Sequence, residues 1–279
     1  MKKLMFAVAA IAAGAAMADV TSANVVGYQN KELSWAANSF VAMTLQPIGV
    51  AKADVTLSQF VPTDGENGWS FNSDYLMTLK PNGTTDKTYG YLSPYWAGPD
   101  GLDDPTAAGW HLFSNLVKEE SYGERCDGVK IPFGTGVAMF TAMQNVTVTF
   151  AGEVLADDYG IPLSWAANTF TGIVCPVDVV LGDLTATDGE NGWSFNSDYL
   201  MTLKPNGTTD KTYGYLSPYW AGPDGLDDPT AAGWHLFSNL VKEEFYGERC
   251  DNVPLASGQA IAVFTSMQGI ELVVPSALP

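Results

Sequence analysis

The chain has 279 residues, with 13 Lys and Arg against 31 Asp and Glu, a formal net charge of −18 and a pI near 4.2. A surface this acidic repels phosphate backbones and anionic lipid, which are held by clustered Lys and Arg, so nucleic-acid binding is excluded. Charged residues make up only 16% of the chain while aromatics reach 12% and glycines number 28, a balance that excludes a disordered acidic tail and suits a β-rich exported protein with glycine turns.

From the N-terminus, residues 1–18 predict a signal peptide. Lys2 and Lys3 form its charged start, Leu4 to Ala16 its apolar run, and Ala16-Met17-Ala18 its cleavage site. Cleavage removes the charges of Lys2 and Lys3 and takes the mature chain, starting near Asp19, from −18 to −20. The apolar run is shorter than the ~20 residues a spanning helix needs. No Cys follows the cleavage site, and the terminal ELVVPSALP has no apolar tail with a basic stop. The expectation is a secreted protein, periplasmic, cell-surface or extracellular, with no membrane span after signal removal.

The next feature is an internal repeat. Residues 63–127 return as 187–251, an offset of 124, with Ser121 against Phe245 as the one difference. Upstream, LSWAANSF at Leu33 matches LSWAANTF at Leu163 with an offset of 130, so the second copy has lost six residues between Phe170 and Thr187. Downstream, GTGVAMFTAMQNVTVTF from Gly134 matches GQAIAVFTSMQGIELVV from Gly258, again at 124. This predicts two tandem β units, 24–152 and 153–279, each of common domain size and able to bury its own core. At position 121/245 an exposed or inter-unit location is expected, since a buried Ser-to-Phe swap costs about 1–3 kcal/mol by overpacking.

Within a unit the dominant period is two. Tyr75, Met77 and Leu79 share a strand face, Lys80 to Thr84 contains the Asn82-Gly83 hairpin signal, and Tyr89 and Tyr91 share a face on the return strand. Val137, Met139, Thr141 and Met143 alternate with the apolar Ala138, Phe140 and Ala142, which predicts an interior strand. Val146, Val148 and Phe150 alternate with Thr147 and Thr149, which predicts a half-exposed one. Helix is scarce: one turn within Val55 to Phe60, and one after Asp104, an N-cap followed by Pro105. The fold class predicted is all-β, two tandem antiparallel β-sandwich-like units related by internal duplication, with seven or eight short strands each.

The opening NVVGYQNKELSWAANSFVAMTL, then SDYLMTLKPNG, TYGYL, GWHLF, IPFGTGVAMF and VTVTFAGEV, resembles the repeating β-domains of secreted bacterial proteins without a characterised activity. These begin with an NVVGY-type strand and carry Gly-Trp before a late proline-glycine turn. The resemblance spans nearly the whole mature chain and implies export and a β-rich fold, with no catalytic residues. The second unit departs from it, having PLASGQAIAVF where the first has IPFGTGVAMF.

Chemistry-bearing residues are few. His111 and His235, copies of each other in GWHLF, are expected to be half-buried strand residues, because a general base also needs a nucleophile and an orienting group. No G-x-S-x-G, H-E-x-x-H, P-loop or strand-to-helix G-x-G-x-x-G is present. The adjacent pairs Asp103-Asp104 and Glu119-Glu120 do not make a glycosidase pair, since neighbours on a strand point to opposite faces. Weak calcium candidates are Asp100, Asp103 and Asp104 with their copies Asp224, Asp227 and Asp228, joined by Asp64, Glu66 and Asn67. They lack EF-hand spacing and also read as solvated turns. Of the three cysteines, Cys175 aligns with Leu45 and is expected to be a buried small apolar residue. Cys126 and Cys250 are equivalent positions, expected to stay unpaired unless a pseudo-twofold axis brings them within ~7 Å.

The aromatic set carries the most functional information. Trp69, Tyr89, Tyr91, Tyr95, Trp96 and Trp110 recur as Trp193, Tyr213, Tyr215, Tyr219, Trp220 and Trp234. Trp69 and Trp110 are expected in the core, and Tyr95-Trp96, between Pro94 and Pro99, on the surface. The function expected is a secreted, non-enzymatic structural or interaction protein of the cell surface or extracellular matrix, with no cofactor. The alternative is a carbohydrate-binding module with two equivalent aromatic sites, Tyr95-Trp96 and Tyr219-Trp220, and a third reading is a secreted hydrolase. The partners these readings imply are a glycan or a surface protein.

Overall fold

Segments rich in Val, Ile, Thr and aromatic side chains pack best on a pleated, half-buried surface. In a computed structural model, which describes residues 26–49, 53–62, 74–80, 84–97, 104–116, 124–186, 198–204, 208–221, 228–240 and 249–277, such segments form several antiparallel sheets, an all-β architecture.

The first ten strands are β1 (Val26–Glu32), β2 (Ala37–Val41), β3 (Val55–Thr56), β4 (Val61–Pro62), β5 (Tyr75–Leu79), β6 (Thr85–Leu92), β7 (Gly109–Leu112), β8 (Lys130–Ile131), β9 (Val137–Thr141) and β10 (Thr147–Glu153). The next ten are β11 (Tyr159–Pro162), β12 (Ala167–Gly172), β13 (Val179–Val180), β14 (Thr185–Ala186), β15 (Tyr199–Leu203), β16 (Thr209–Leu216), β17 (Gly233–Leu236), β18 (Pro254–Leu255), β19 (Ala260–Thr265) and β20 (Glu271–Val274). A five-stranded sheet of order β2-β9-β5-β6-β7 has its match in β12-β19-β15-β16-β17. The three-stranded β1-β10-β4 and two-stranded β3-β8 are likewise matched by β11-β20-β14 and β13-β18.

Ten strands in each half, among the described residues, exceed the seven or eight expected, because two-residue pairings such as β3 and β8 are too short to show alternation. β9 is central, paired with β2 and β5, and buries Val137, Ala138 and Met139 on both faces as its apolar run predicts. It ends at Thr141, so Ala142 and Met143 belong to the following turn. Along β10, Val148 and Phe150 are buried and Thr147 and Thr149 half-exposed, as their alternation predicts.

On β5, Tyr75, Met77 and Leu79 share one face, as their spacing predicts, and it is the outer one. Leu76 is the buried residue, opposite Tyr89 and Met139, whereas Tyr75, Met77 and Leu79 are half-exposed. The outer face is apolar too, with Tyr75 stacked on Phe140 at 4.9 Å and edge-on to Phe113 at 5.3 Å, so alternation did not tell inside from outside. Of the two helical turns expected in the first half, the first is a 3-10 turn, Leu57–Gln59. The second, also 3-10, is Pro105–Ala107, capped by the Asp104 side chain, which accepts from the Thr106 N–H at 3.1 Å.

The core contains Trp110, Trp234, Phe60 and Phe150, with Phe60 edge-on to Phe150 at 5.4 Å. It is continuous through both halves, which meet in a reciprocal contact. The Ala42 N–H donates to the Gly258 carbonyl at 2.9 Å, and the Gly172 N–H to the Gly134 carbonyl at 3.0 Å. By the sequence offsets, Ala42 is equivalent to Gly172 and Gly134 to Gly258. The bridges Val41↔Gln259 and Thr135↔Thr171 obey the same exchange. A Cβ on Gly172 would lie 2.0 Å from that of Ala42, so these equivalent residues face each other at close range. Around this point the Tyr159 hydroxyl donates to the Phe133 carbonyl at 3.1 Å, and Lys31 Nζ to the Ser257 carbonyl at 2.9 Å.

β10 runs through Gly152 to Glu153, which pairs with Val26. The six-residue difference between copies falls before β3 and β13. Cys175 is buried like its counterpart Leu45. Cys126 is a free, half-buried thiol, so the Cys126–Cys250 pair is not made. Position 121/245, Trp69, Trp193, the 81–83 turn and Glu119-Glu120 lie outside the described residues.

Candidate functional site

The sequence places aromatic sites at Tyr95-Trp96 and Tyr219-Trp220. The backbone of the first pair forms the helical turn Pro94–Ala97, and its side chains lie outside the described part of the structure. In the second copy, turn Pro218–Ala221, Tyr219 and Trp220 are both half-buried, with rings perpendicular at 89° and centroids 5.6 Å apart. Trp220 packs against Leu216, Ala221 and Ala231. Two perpendicular rings offer a corner, not one flat face.

Of the calcium candidates, Asp100, Asp103, Asp224 and Asp227, with Asp64, Glu66 and Asn67, lie outside the described residues. Asp104 and Asp228 are each engaged by a threonine two residues on: Oδ1 accepts from the Thr106 and Thr230 hydroxyls at 2.6 Å and from their N–H groups at 3.1 Å. Among the described residues no three His, Cys, Asp or Glu groups converge on a common point.

His111 and His235 differ from expectation in burial: both are 1% exposed, not half-buried. Each donates from Nε2 to a carbonyl of the preceding 3-10 turn, Ala107 or Ala231, at 2.7 Å, which fixes the proton on that nitrogen because a carbonyl can only accept. The segment ending GERCD clamps the same strand. Asp127 accepts from the Trp110 N–H at 3.0 Å and from Arg125 at 2.5 Å, and the Cys126 N–H donates to the Trp110 carbonyl. Asp251 and Arg249 do the same for Trp234.

The site that sequence reasoning missed is the SWAAN turn. After β1, Leu33 turns inward and its N–H donates to the Val146 carbonyl at 2.9 Å, while the Ser34 N–H is taken by the Ser39 hydroxyl at 2.8 Å. Ala36 then adopts a left-handed φ of 51°, and its N–H donates to the Thr141 carbonyl. A left-handed alanine costs about 1–2 kcal/mol, so the surrounding bonds must hold it. The result is that Trp35 projects into solvent at 61% exposure.

Its ring is nonetheless fixed. Trp35 Nε1–H donates to the Ala142 carbonyl at 3.0 Å, and the N–H of Ala142 donates to the fully buried Asp74 carboxylate at 2.6 Å. The second copy repeats each contact. Trp165 is 59% exposed, Ala166 has φ 51°, Trp165 Nε1–H donates to the Ser266 carbonyl at 3.0 Å, and buried Asp198 accepts from the Ser266 N–H at 2.6 Å. With the indole N–H satisfied, what each tryptophan offers outward is its apolar face. Around Trp35 lies a shallow depression of about 450 Å³ lined by Glu32, Leu33, Ser34, Gln144 and Asn145.

A signal for this site was in the sequence. SWAAN is kept identical in flanks where neighbouring residues have drifted, and so is the Met-Gln pair of the facing turn. Both copies keep a tryptophan that is more than half exposed. Among the described residues no helix is long and apolar enough to cross a membrane. Compared with protein-family models, curated proteins and solved structures, the chain matches none.

Proposed function

We propose that the chain is an exported, non-enzymatic interaction protein of the cell surface or extracellular matrix, built from two β-sandwich-like units related by duplication. The observation that carries the reading is the pair Trp35 and Trp165, large apolar rings held rigidly in solvent by the same set of bonds in both halves. An exposed apolar group becomes informative when the protein spends structure to keep it exposed. Export rests on the leader-like residues 1–18 and on the resemblance to secreted bacterial β-domains. The strand-order match between the halves and their reciprocal contact support duplication.

The test is retention of the purified mature chain on cell-envelope and matrix preparations. The expected result is binding that falls at least about tenfold when Trp35→Ala and Trp165→Ala are combined, because two sites on one body act with avidity. Equal retention of the double variant would overturn the reading.

A further inference from the structure

We propose that the indole faces of Trp35 and Trp165 are stacking platforms for a neutral glycan, and that the Trp35 site is the tighter of the two. This rests on the interaction role proposed above and names its ligand class. Three observations converge on a sugar. First, the indole N–H of each ring is already satisfied, so the ring recognises a ligand through its face. A pyranose presents an apolar C–H face that stacks on a flat ring and a circumference of hydroxyls that need donors and acceptors.

Second, the rim supplies those partners in the right form. Glu32, Ser34, Gln144 and Asn145 are all exposed beside Trp35 and offer a carboxylate, a hydroxyl and two amides. One apolar ring in a polar rim is a poor protein-docking surface, since specific protein interfaces bury about 800 Å² per partner around an apolar centre. Third, the charge restricts the glycan class. No described lining residue is cationic, Glu32 is anionic, and the chain carries −18 overall, which disfavours uronic or sulfated sugars.

The two sites are not equal. By the sequence offsets, Ser34 and Gln144 are kept as Ser164 and Gln268, but Glu32 becomes Pro162 and Asn145 becomes Gly269. Proline and glycine remove two side-chain hydrogen-bonding groups. With two hydrogen bonds fewer, the Trp165 site is weaker by roughly five- to hundredfold.

The experiment is calorimetric and fluorescence titration of the mature protein with neutral hexasaccharides (cellohexaose, xylohexaose and laminarihexaose), with a heparin hexasaccharide as the anionic control. Expected for at least one neutral probe are two binding steps separated by roughly five- to hundredfold and no heat with heparin. Trp35→Ala should remove the tighter step and Trp165→Ala the weaker. Gln144→Ala, a rim change that leaves the ring bonds intact, should weaken the tighter step alone. Both tryptophans are mostly solvent-exposed, so folding of the variants is checked by their melting curves. Absence of binding to every neutral probe at millimolar concentration, or binding indifferent to both tryptophans, overturns the glycan assignment. If retention on envelope preparations still depends on Trp35 and Trp165 but no neutral glycan competes, the interaction role stands and its ligand is a protein. If retention ignores both residues, both readings fall.

Discussion

Asp74 shows how one buried side chain governs an exposed one. Its carboxylate is fully buried and accepts from the N–H of Ala142, the residue whose carbonyl takes the Trp35 indole proton. Removing the carboxylate takes away a charge-assisted hydrogen bond, worth about 1.5–3 kcal/mol. Asp74→Ala should therefore lower stability in urea denaturation by that amount, while Asp74→Asn, which keeps an acceptor oxygen, should lose clearly less. Equal losses in the two variants would show that charge, not the hydrogen bond, is what the site needs. Asp74 is unremarkable in the sequence because nothing local to SDYLM says that a backbone group 68 residues away will be its partner.

Among the elements, the end of β12 and the residue that follows β2 meet across the two halves, and the copies differ where that contact is tightest. Ala42 in one copy faces its own counterpart, Gly172, in the other, and two methyl groups do not fit there. Gly172→Ala would place its Cβ 2.0 Å from that of Ala42, a rigid group that cannot swing aside. A cost of about 1–3 kcal/mol follows from overpacking, which lowers the melting temperature by about 2–4 °C per kcal/mol in a domain of 150–250 residues. Gly128→Ala is the control: nothing lies within 4 Å of its built Cβ, and the change should stay within about 0.5 kcal/mol. Indistinguishable melting curves for the two variants would refute the tight contact. The Ala-to-Gly difference is visible in the aligned repeats, but it becomes meaningful only when the two positions are known to meet.

For the whole molecule, buried and half-buried tyrosines and thiols set an alkaline limit. Burial raises the pKa of Tyr75, Tyr89, Tyr91, Tyr159, Tyr199, Tyr213 and Tyr215 above the ordinary phenol value, and raises Cys126 and Cys175 above the ordinary thiol value. The unfolded chain therefore loses these protons first. The stability they contribute is complete below the unfolded values, about 8.5 for Cys and 10 for Tyr, and is lost as pH rises through the higher folded values. Lys31 opposes this: burial lowers its pKa, with Asp178 partly restoring it, so its burial penalty is relieved as pH rises toward the unfolded lysine value. Seven phenols outweigh one amine, and thermal melts should show a steady melting temperature up to about pH 8 and a clear fall above about pH 10. A melting temperature unchanged to pH 11 would contradict the burial of these groups.

Much of this molecule is local and so was written plainly in its sequence. The β class, the offsets of 124 and 130, the strand alternation of Val146 to Phe150, the cap at Asp104 and the burial of Cys175 depend on neighbours in the chain and on side-chain size alone. Other features were set by contacts between distant segments, which a one-dimensional pattern cannot carry. Leu76 is the inward residue of β5 because β6 and β9 present Tyr89 and Met139 to it, although both faces of that strand are apolar. His111 is fully buried because its strand packs beneath the preceding 3-10 turn. Trp35 and Trp165, which composition alone would assign to a core, stand in solvent because a left-handed alanine and a facing loop hold them there. Local propensity determined which elements form; the free energy of long-range packing and hydrogen bonding decided which face of each is hidden and which ring remains available to a partner.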